Sequence, residues 1–262
     1  MRISVTDTLA QAAASIREHF KYFLGVAFFF FALGVLWQLI VAGMVAAVVS
    51  SLGILGFYLV AIVSSLVGLA LYVKPAVMVH RTVILKETKN WNRMFSWGKP
   101  ETHLFLLCLG LWIIFMLSSM LFGMMFAAFS NNEVVSHQFE YGFVLIMMVL
   151  GGAVFSQIAL MLPAFAVGHK VSVGDSIDLT RGQSLKVFLL VVVLPVLISM
   201  LMQYVIPRQS SVIAILLNFL THLLVIFEVS VLSHVYLRLT ENSESGDQAN
   251  KESAADDSFT GA

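Results

Sequence analysis

The sequence predicts an all-α polytopic membrane protein, and three observations carry that prediction. Hydrophobic residues make up 59% of the 262 residues and charged residues only 11%, whereas soluble domains carry about 25% charged residues. Six apolar runs are each long enough to cross a hydrocarbon core, which takes about 20 helical residues. Similar parts also recur in the same order, which predicts three repeats of an interfacial amphipathic helix followed by a membrane hairpin.

The six predicted spans are helices, because backbone polar groups in lipid must be hydrogen-bonded within their own segment. A transmembrane β-barrel would need alternating segments of about 10 residues, which the sequence lacks. Only Ser50-Ser51 separates the first two spans, and Gly53 and Gly56 follow, so we expect a tight turn between antiparallel helices. The spans are predicted near 22–49, 52–73, 104–129, 141–167, 185–206 and 212–236.

An amphipathic segment precedes each predicted hairpin. In the first segment, Ser4 and Asp7 have capping-box spacing, and apolar residues recur three and four positions apart, as in a helix lying on a membrane surface. In the third, Ser172 and Asp175 repeat the capping-box spacing, and Gly182 is placed to end the helix. Interfacial helices are therefore predicted near 4–21, 76–90 and 173–182.

Two Pro-Ala pairs support the repeat. Pro75 can be laid on Pro163 with an offset of 88 residues, and each would close an even-numbered span and open an interfacial segment. Phe23, Phe105 and Phe188 then stand at equivalent starts of the odd-numbered spans. A single unit cannot cover its own helix faces, so we expect the three units to pack around one core.

The distribution of Lys and Arg predicts the orientation. Fourteen of the 15 lie in the N-terminal arm, in 74–101, in 168–186 or near the C-terminal end, and only Arg208 lies in the opposite loops. Because cytoplasmic loops carry the excess of basic residues, we expect both termini and both long loops to be cytoplasmic. Residues 1–240 form the predicted membrane domain. Residues 241–262, with six acids and one Lys, are predicted to be a disordered acidic cytoplasmic tail.

No residue pattern predicts catalysis or a cofactor. The sequence has no GxSxG, P-loop or GxGxxG motif. Its seven histidines include no HExxH pair, and its single cysteine, Cys108, lies inside an apolar run. No basic stripe points to nucleic acid. We therefore expect no enzyme activity, no metal and no cofactor.

The candidate intramembrane site centres on Glu228, the only acid well inside a predicted span. An ionised carboxylate is costly there, so we expect it to be protonated or paired and to face the bundle interior. Gln157 is predicted at similar depth, and we expect Glu228 to come within hydrogen-bonding reach of Gln157 or of another polar side chain, and not to face lipid. Helical geometry adds three polar side chains of the same span: Asn218, Thr221 and His222. Both a hydrogen bond that fixes packing and a proton- or substrate-handling role remain open for Glu228.

Basic residues of the interfacial segments are candidate contacts for anionic lipid headgroups, each worth about 1 kcal/mol near the membrane surface. They are Arg17, Lys21, Arg81, Lys86, Lys89, Arg93, Lys170 and Arg181. The leading hypothesis is a non-enzymatic membrane protein that engages lipid or a membrane partner through cytoplasmic interfacial helices. The alternative is a small-molecule or lipid transporter with a polar site between the repeats. The expected partners are membrane lipids or another membrane protein, and not nucleic acid.

One stretch of the third predicted repeat resembles a known family. It runs Leu162-Pro-Ala-Phe-Ala-Val, then Ser172-Val-Gly-Asp-Ser-Ile-Asp-Leu-Thr-Arg-Gly182, then Leu185-Lys-Val-Phe188. It is similar to the membrane region fused to some bacterial glycerophosphodiester phosphodiesterases and to the stand-alone YciC-like inner-membrane proteins, as is the ending Ser233-His-Val-Tyr-Leu-Arg-Leu239. Gln157 departs from the pattern, since that family often carries Arg six positions before the proline. The catalytic domain has no counterpart here, so the resemblance implies a bacterial inner-membrane protein with a role in envelope lipid homeostasis.

Overall fold

The computed structural model describes residues 3–87, 91–129, 149–205 and 211–259, and every regular element in these ranges is helical. Six helical segments are long and apolar enough to cross a membrane: Phe20–Val48, Ser50–Leu85, Trp91–Leu121, Val149–Ala166, Ser184–Met202 and Ile215–Glu241. The predicted all-α chain with six membrane-length helices is thereby confirmed. The start of the fourth predicted span, at 141–148, lies outside the described residues, as does Arg208.

The helices follow one another in the order α1 Val5–Glu18, α2 Phe20–Leu85, a 3₁₀ turn Trp91–Met94, α3 Lys99–Phe129, α4 149–158, α5 Met161–Ala166, α6 Val173–Thr180, α7 Ser184–Phe188, a π turn Leu189–Val193, α8 Leu194–Val205 and α9 Ser211–Phe259. The third span is therefore α3, the fourth is α4 with α5, and the fifth runs from α7 through the π turn into α8.

The first two spans form a hairpin within α2, which breaks at Gly53. Gly53 has φ 58° and ψ −136°, a conformation that glycine adopts without steric penalty. The chain passes so close to itself here that a Cβ at Gly56 would lie 2.6 Å from the Val48 carbonyl oxygen. Tyr22 near the start of α2 and Thr82 near its end line one small cavity, so the two halves run antiparallel. The predicted turn is confirmed and lies two residues beyond Ser51.

The second span is longer than the sequence predicts. We expected it to end at 73 and a separate interfacial helix to follow near 76–90, but α2 continues through Pro75 to Leu85. It ends at Lys86, which has the left-handed φ of 52°. Pro75 removes one backbone hydrogen bond, but residues 73–80 are all buried. Tertiary packing therefore maintains the helix where local sequence favours a stop.

Pro163 has a different effect on its helix. α5 ends at Ala166, and Gly168 then turns the chain with a φ of 87°. The helix thus stops three residues beyond Pro163, whereas α2 runs ten residues beyond Pro75. The two Pro-Ala pairs do not occupy equivalent positions in the local structure, and the threefold repeat stays a prediction.

The polar segments meet at one end of the helices, which we call the basic end: α1, residues 86–98 and residues 167–186. The Ile3 N–H donates to Gln183 Oε1 at 2.5 Å, and Lys186 Nζ donates to the Ile3 carbonyl at 2.7 Å. Ser15 Oγ and His234 Nε2 are hydrogen-bonded at 2.9 Å, so α1 also lies against α9. The predicted interfacial helix at 4–21 therefore packs one face, including Thr8 and Ala12, on the protein itself.

Buried side chains are concentrated toward the basic end. They come from the two ends of the α2 hairpin, from the α4–α5 segment, from Val187 and Leu190, and from 226–239 of α9. In the opposite half, residues 51–55 of α2 and 113–121 of α3 are exposed throughout. The bundle is thus packed at one end and open to its surroundings at the other.

The acidic C-terminal segment differs from its prediction. The sequence predicted disorder over 241–262, but α9 continues as helix to Phe259. No proline interrupts Glu241–Phe259, and its Glu, Ala, Lys and Gln residues have high helix propensity. At 1.5 Å per residue the helix extends about 27 Å beyond Glu241.

Candidate functional site

Glu228 lines a cavity of about 80 Å³ between α2, the α4–α5 segment, the π turn and α9, which we call the Glu228 cavity. Its polar side chains are Tyr72, His80 and Glu228. The remaining wall is apolar and consists of Ala76, Phe155, Leu162, Leu190, Val191, Pro195, Val229 and Leu232. Glu228 is partly exposed and lies against a space between these helices, and its predicted orientation away from lipid stays a prediction.

The imidazole of His80 is fixed in one orientation. His80 is 1% exposed, and its Nδ1 lies 2.8 Å from Ser233 Oγ. Ser233 uses its single hydroxyl hydrogen to donate to the Val229 carbonyl at 2.8 Å, so His80 Nδ1 must be the donor of the bond between them. A neutral ring with hydrogen on Nδ1 carries its lone pair on Nε2. Nε2 is then available as an acceptor to an occupant of the cavity.

The π turn forms part of the same wall. Leu189–Val193 is wound as a π turn and Pro195 follows it. Proline has no N–H, so it cannot donate a backbone hydrogen bond to the preceding turn. Leu190, Val191 and Pro195 all line the Glu228 cavity. Single π turns inside α-helices occur frequently at functional sites.

Gln157 does not meet the prediction made for it. Its main-chain carbonyl accepts a hydrogen bond from Ser176 Oγ at 2.5 Å, but Gln157 is not among the residues that line the Glu228 cavity. No hydrogen bond joins Gln157 to Glu228 in the part of the chain that the structure describes. The sequence placed both residues at similar depth, but depth alone does not determine which way a helix presents a side chain.

The other polar residues of the last span lie apart from Glu228. Thr221 donates to the Leu217 carbonyl at 3.0 Å, and His222 Nδ1 is bonded to the Asn218 carbonyl at 2.8 Å. Asn218 and Thr221 are exposed. Although Thr221 falls near the same helical stripe, seven residues of helix place it about 10 Å farther along the axis. Both hydrogen bonds lie within α9 itself, and the His222 ring also packs edge-on against Phe31 of α2.

Sequence reasoning missed Tyr72 and His80 as members of the site. His80 was predicted at the interface because the second span was expected to end at 73. The apolar residues on both sides of His80, from Ala76 to Val79 and from Val83 to Leu85, are the signal that could have placed it inside a helix.

A buried ion pair joins α2 to the start of α3. Lys74 Nζ donates to Glu101 Oε1 at 2.5 Å and also to the Ser96 carbonyl. Glu101 Oε2 accepts from the Gly98 N–H at 3.0 Å, near the first turn of α3. Lys74 is 4% exposed and Glu101 8%. With both charges paired and hydrogen-bonded, the arrangement is structural in character.

Two of the predicted headgroup-contacting residues, Arg81 and Arg93, are paired with Glu87 within the protein. Arg81 donates to both carboxylate oxygens of Glu87, Arg93 donates to one of them, and Arg81 Nη1 also donates to the Ala166 carbonyl at 3.2 Å. The hydrogen bond from Arg81, with the positive charges of both guanidinium groups, holds the pKa of Glu87 below its usual value. Arg81 and Arg93 are therefore engaged within the protein.

The other predicted headgroup-contacting residues in the described ranges are exposed and can contact an external ligand. Lys89 lies outside the described residues. The exposed residues are Arg17, Lys21, Lys86, Lys170 and Arg181. Arg17 lies on α1, Lys86 follows the end of α2, and Lys170 and Arg181 lie on either side of α6, all in the basic end, while Lys21 lies next to it at the start of α2.

α6 presents its apolar side outward. The predicted capping box is present: Asp175 N–H donates to Ser172 Oγ at 3.2 Å and Ser172 N–H donates to Asp175 Oδ2 at 2.8 Å. These bonds lower the pKa of the Asp175 carboxyl. Val173 and Ile177 are exposed, whereas Ser176 is fully buried. An amphipathic helix that turns its apolar side away from the protein suits a membrane surface.

Comparison with known proteins adds no relative: no family model, curated protein or solved structure matches the chain. In the described ranges, no group of three or more His, Cys, Asp or Glu side chains could hold a metal ion. The fold and the site define the class as an all-helical chain with six membrane-length helices and a mainly apolar cavity that Glu228, His80 and Tyr72 also line. The resemblance of the third predicted repeat to a known family stays a prediction.

Proposed function

We propose that the protein is a non-enzymatic integral membrane protein that engages anionic lipid headgroups through its basic end. α6 carries this proposal. Its exposed Val173 and Ile177 would enter the headgroup boundary, and Lys170 and Arg181 flank them at its two ends. Apolar side chains between basic ones are the arrangement by which amphipathic helices bind anionic membrane surfaces.

Exposed aromatic side chains support the same placement. Trp91, Phe95 and Trp97 lie between α2 and α3 at the basic end, and Phe95 is 80% exposed. Trp in particular is enriched at membrane–water interfaces. By the positive-inside rule, we place this end at the cytoplasmic face of a bacterial inner membrane, with both termini on that side and a role in envelope lipid homeostasis.

The proposal is tested by counting the lipids that the protein retains. We expect native mass spectrometry to show preferential retention of phosphatidylglycerol over phosphatidylcholine of equal chain length. Lys170→Gln and Arg181→Gln should each weaken that preference by about fivefold, since a basic residue near the surface contributes about 1 kcal/mol.

Arg93→Gln is the matched control, because Arg93 is paired with Glu87 and should leave the lipid preference unchanged. Equal retention of the two lipids by the unmodified protein contradicts the proposal. Retention of a second membrane protein in place of lipid would show instead that the basic end is a protein-binding surface.

A second candidate function is transport of a small molecule or lipid, and the Glu228 cavity favours it. A transporter needs a polar site between packed helices that can open to either side. The test uses a fluorescent phospholipid in proteoliposomes. If the protein transports lipid, the fluorescent phospholipid should exchange between the two leaflets, and Glu228→Gln should slow that exchange. A rate equal to that of protein-free liposomes rules out lipid transport.

A further inference from the structure

We propose that the Glu228 cavity binds one small monovalent cation, either Na⁺ or a proton carried as hydronium. Glu228 supplies the negative charge, and Tyr72 and His80 supply neutral acceptors. The inference rests on the cavity alone and is independent of the proposed contact with lipid headgroups.

The balance of charge around Glu228 calls for a positive occupant. From α2 the cavity is lined by Tyr72 and His80, with Cys108 of α3 close to Tyr72. The α4–α5 segment and the stretch from the π turn to Pro195 contribute only apolar side chains, and no Lys or Arg of the described ranges lines the cavity. A carboxyl group within a membrane-spanning helix is rarely left without a proton or a counter-charge. Since no described side chain supplies that charge, a cation from solution can supply it.

The surrounding atoms are acceptors. His80 Nδ1 is bound to Ser233, which leaves Nε2 with its lone pair. The Tyr72 hydroxyl oxygen lies within electrostatic range of Glu228. Oxygen ligands suit a hard cation, whereas an imidazole nitrogen opposite a carboxyl suits a shared proton, so the cavity can accommodate either occupant.

Charge selects against multivalent ions. A single carboxylate is too little charge for Ca²⁺, which takes about six to eight oxygen ligands and usually several carboxylates. The cavity, of about 80 Å³, has room for an ion with bound water. A single carboxylate therefore suits a singly charged occupant.

The test measures the thermal stability of the full chain in nanodiscs of uncharged lipid. NaCl replaces choline chloride at constant ionic strength and pH 8, and a second series lowers the pH from about 8 to about 6 without Na⁺. A ligand that binds only the folded state stabilises it by RT ln(1 + [L]/Kd), so the melting temperature rises steadily with the logarithm of the ligand concentration above Kd. We expect the melting temperature of the unmodified protein to rise when Na⁺ is added, when the pH is lowered, or in both series, in which case the two cations compete for one site.

Glu228→Gln should weaken the apparent affinity for the cation by at least about tenfold, because it removes the charged ligand while retaining side-chain volume. Glu18→Gln, the same change at an exposed position of α1, is the matched control and should respond as the unmodified protein does. A response to Na⁺ that weakens as the pH falls identifies Na⁺ in competition with protons at one carboxyl. A response to pH alone identifies the proton.

Equal responses of the unmodified protein and Glu228→Gln, or no response of the unmodified protein to either cation, overturn the proposal. If Glu228→Gln does not fold, Tyr72→Phe provides the comparison, because it removes only the hydroxyl and should weaken binding about threefold. Infrared difference spectra of the unmodified protein then report directly whether a carboxyl group gains a proton or a metal ion during the titration.

Discussion

At the residue scale, Glu87 is held in its ionised form by two neighbouring guanidinium groups. Its pKa lies below the usual value, chiefly because Arg81 donates a hydrogen bond to it. A carboxyl whose pKa is lower in the folded state contributes stability above its unfolded-state pKa, about 4.3 for Glu, and that stability is lost as the pH falls through the folded-state value.

We therefore expect Glu87→Gln to lower stability at pH 7 by up to about 1 kcal/mol, the upper end for partly exposed ion pairs. The difference from the unmodified protein should shrink as the pH falls from about 5 to about 3, where Glu87 itself becomes protonated. Thermal unfolding in detergent across this pH range measures the stability difference between the variant and the unmodified protein. Asp178→Asn, at an exposed position of α6, is the control. A difference independent of pH would contradict the assignment.

Glu228 and His80 show what sequence can predict about a single residue in a membrane helix. An acid inside an apolar run is conspicuous from composition, so Glu228 could be singled out. The position of His80 depends on where α2 ends, and packing of residues 73–80 determines that end in spite of Pro75. The partners of Glu228 were not predictable either, because the rotation of each helix is fixed by contacts with several others.

At the element scale, the ion pair between Lys74 and Glu101 connects the α2 hairpin to α3. Breaking one side of a buried, hydrogen-bonded pair leaves an uncompensated charge, which costs about 3–5 kcal/mol. We expect Lys74→Met to destabilise the protein by about that amount. Addition of Glu101→Gln to this variant should recover part of the loss, because no buried charge then remains.

Equilibrium unfolding of the two single variants and the double variant provides the double-mutant cycle. Lys99→Met is the control, since Lys99 is exposed at the start of α3. Additive losses in the double variant would show that the two side chains do not depend on each other.

Local signals predicted some elements and misled for others. The capping box of α6 and the glycine at its end are local, so the sequence predicted that helix closely. The predicted helix at 76–90 also had a local signal, Pro75, but the burial of the surrounding side chains extended α2 instead. Propensity is decisive where an element stands alone and is overridden where it packs.

At the scale of the whole molecule, packing decreases from the basic end toward the opposite end. Phe23, Val26 and Val77 are almost completely buried near the basic end, whereas residues 113–121 of α3 are exposed on every side. Segments with few buried contacts open with the least free energy. The opposite ends of the helices should therefore sample a wider range of separations.

Pulsed electron paramagnetic resonance tests this in a Cys108→Ala background. Spin labels at Phe20 and Leu185, both exposed near the basic end, should give a narrow distance distribution. Labels at Leu55 and Leu117, both exposed in the opposite half, should give a broader one. Equal widths in nanodiscs would show that the bilayer holds both ends equally firmly.

The charge distribution predicted one property of the whole molecule. The Lys and Arg residues implied that several polar segments share an end, and the contacts from Ile3 to Lys186 and from Ser15 to His234 bring those segments together. The side of the membrane on which that end lies stays a prediction. Which segment contacts which other could not be deduced, because hydrophobic periodicity identifies helices without specifying their neighbours.

The contact of Ile3 with Gln183 and Lys186 has a consequence for biogenesis. A ribosome adds about 5–20 residues per second, so roughly 10–40 s separate the synthesis of Ile3 from that of its two partners. His234, the partner of Ser15, is made later still. Although α1 is synthesised well before these partners, it is thus among the last of the helices to reach its final position. Until the fifth and sixth spans are inserted, α1 cannot make these contacts, and its apolar side allows it to bind the bilayer surface in the meantime.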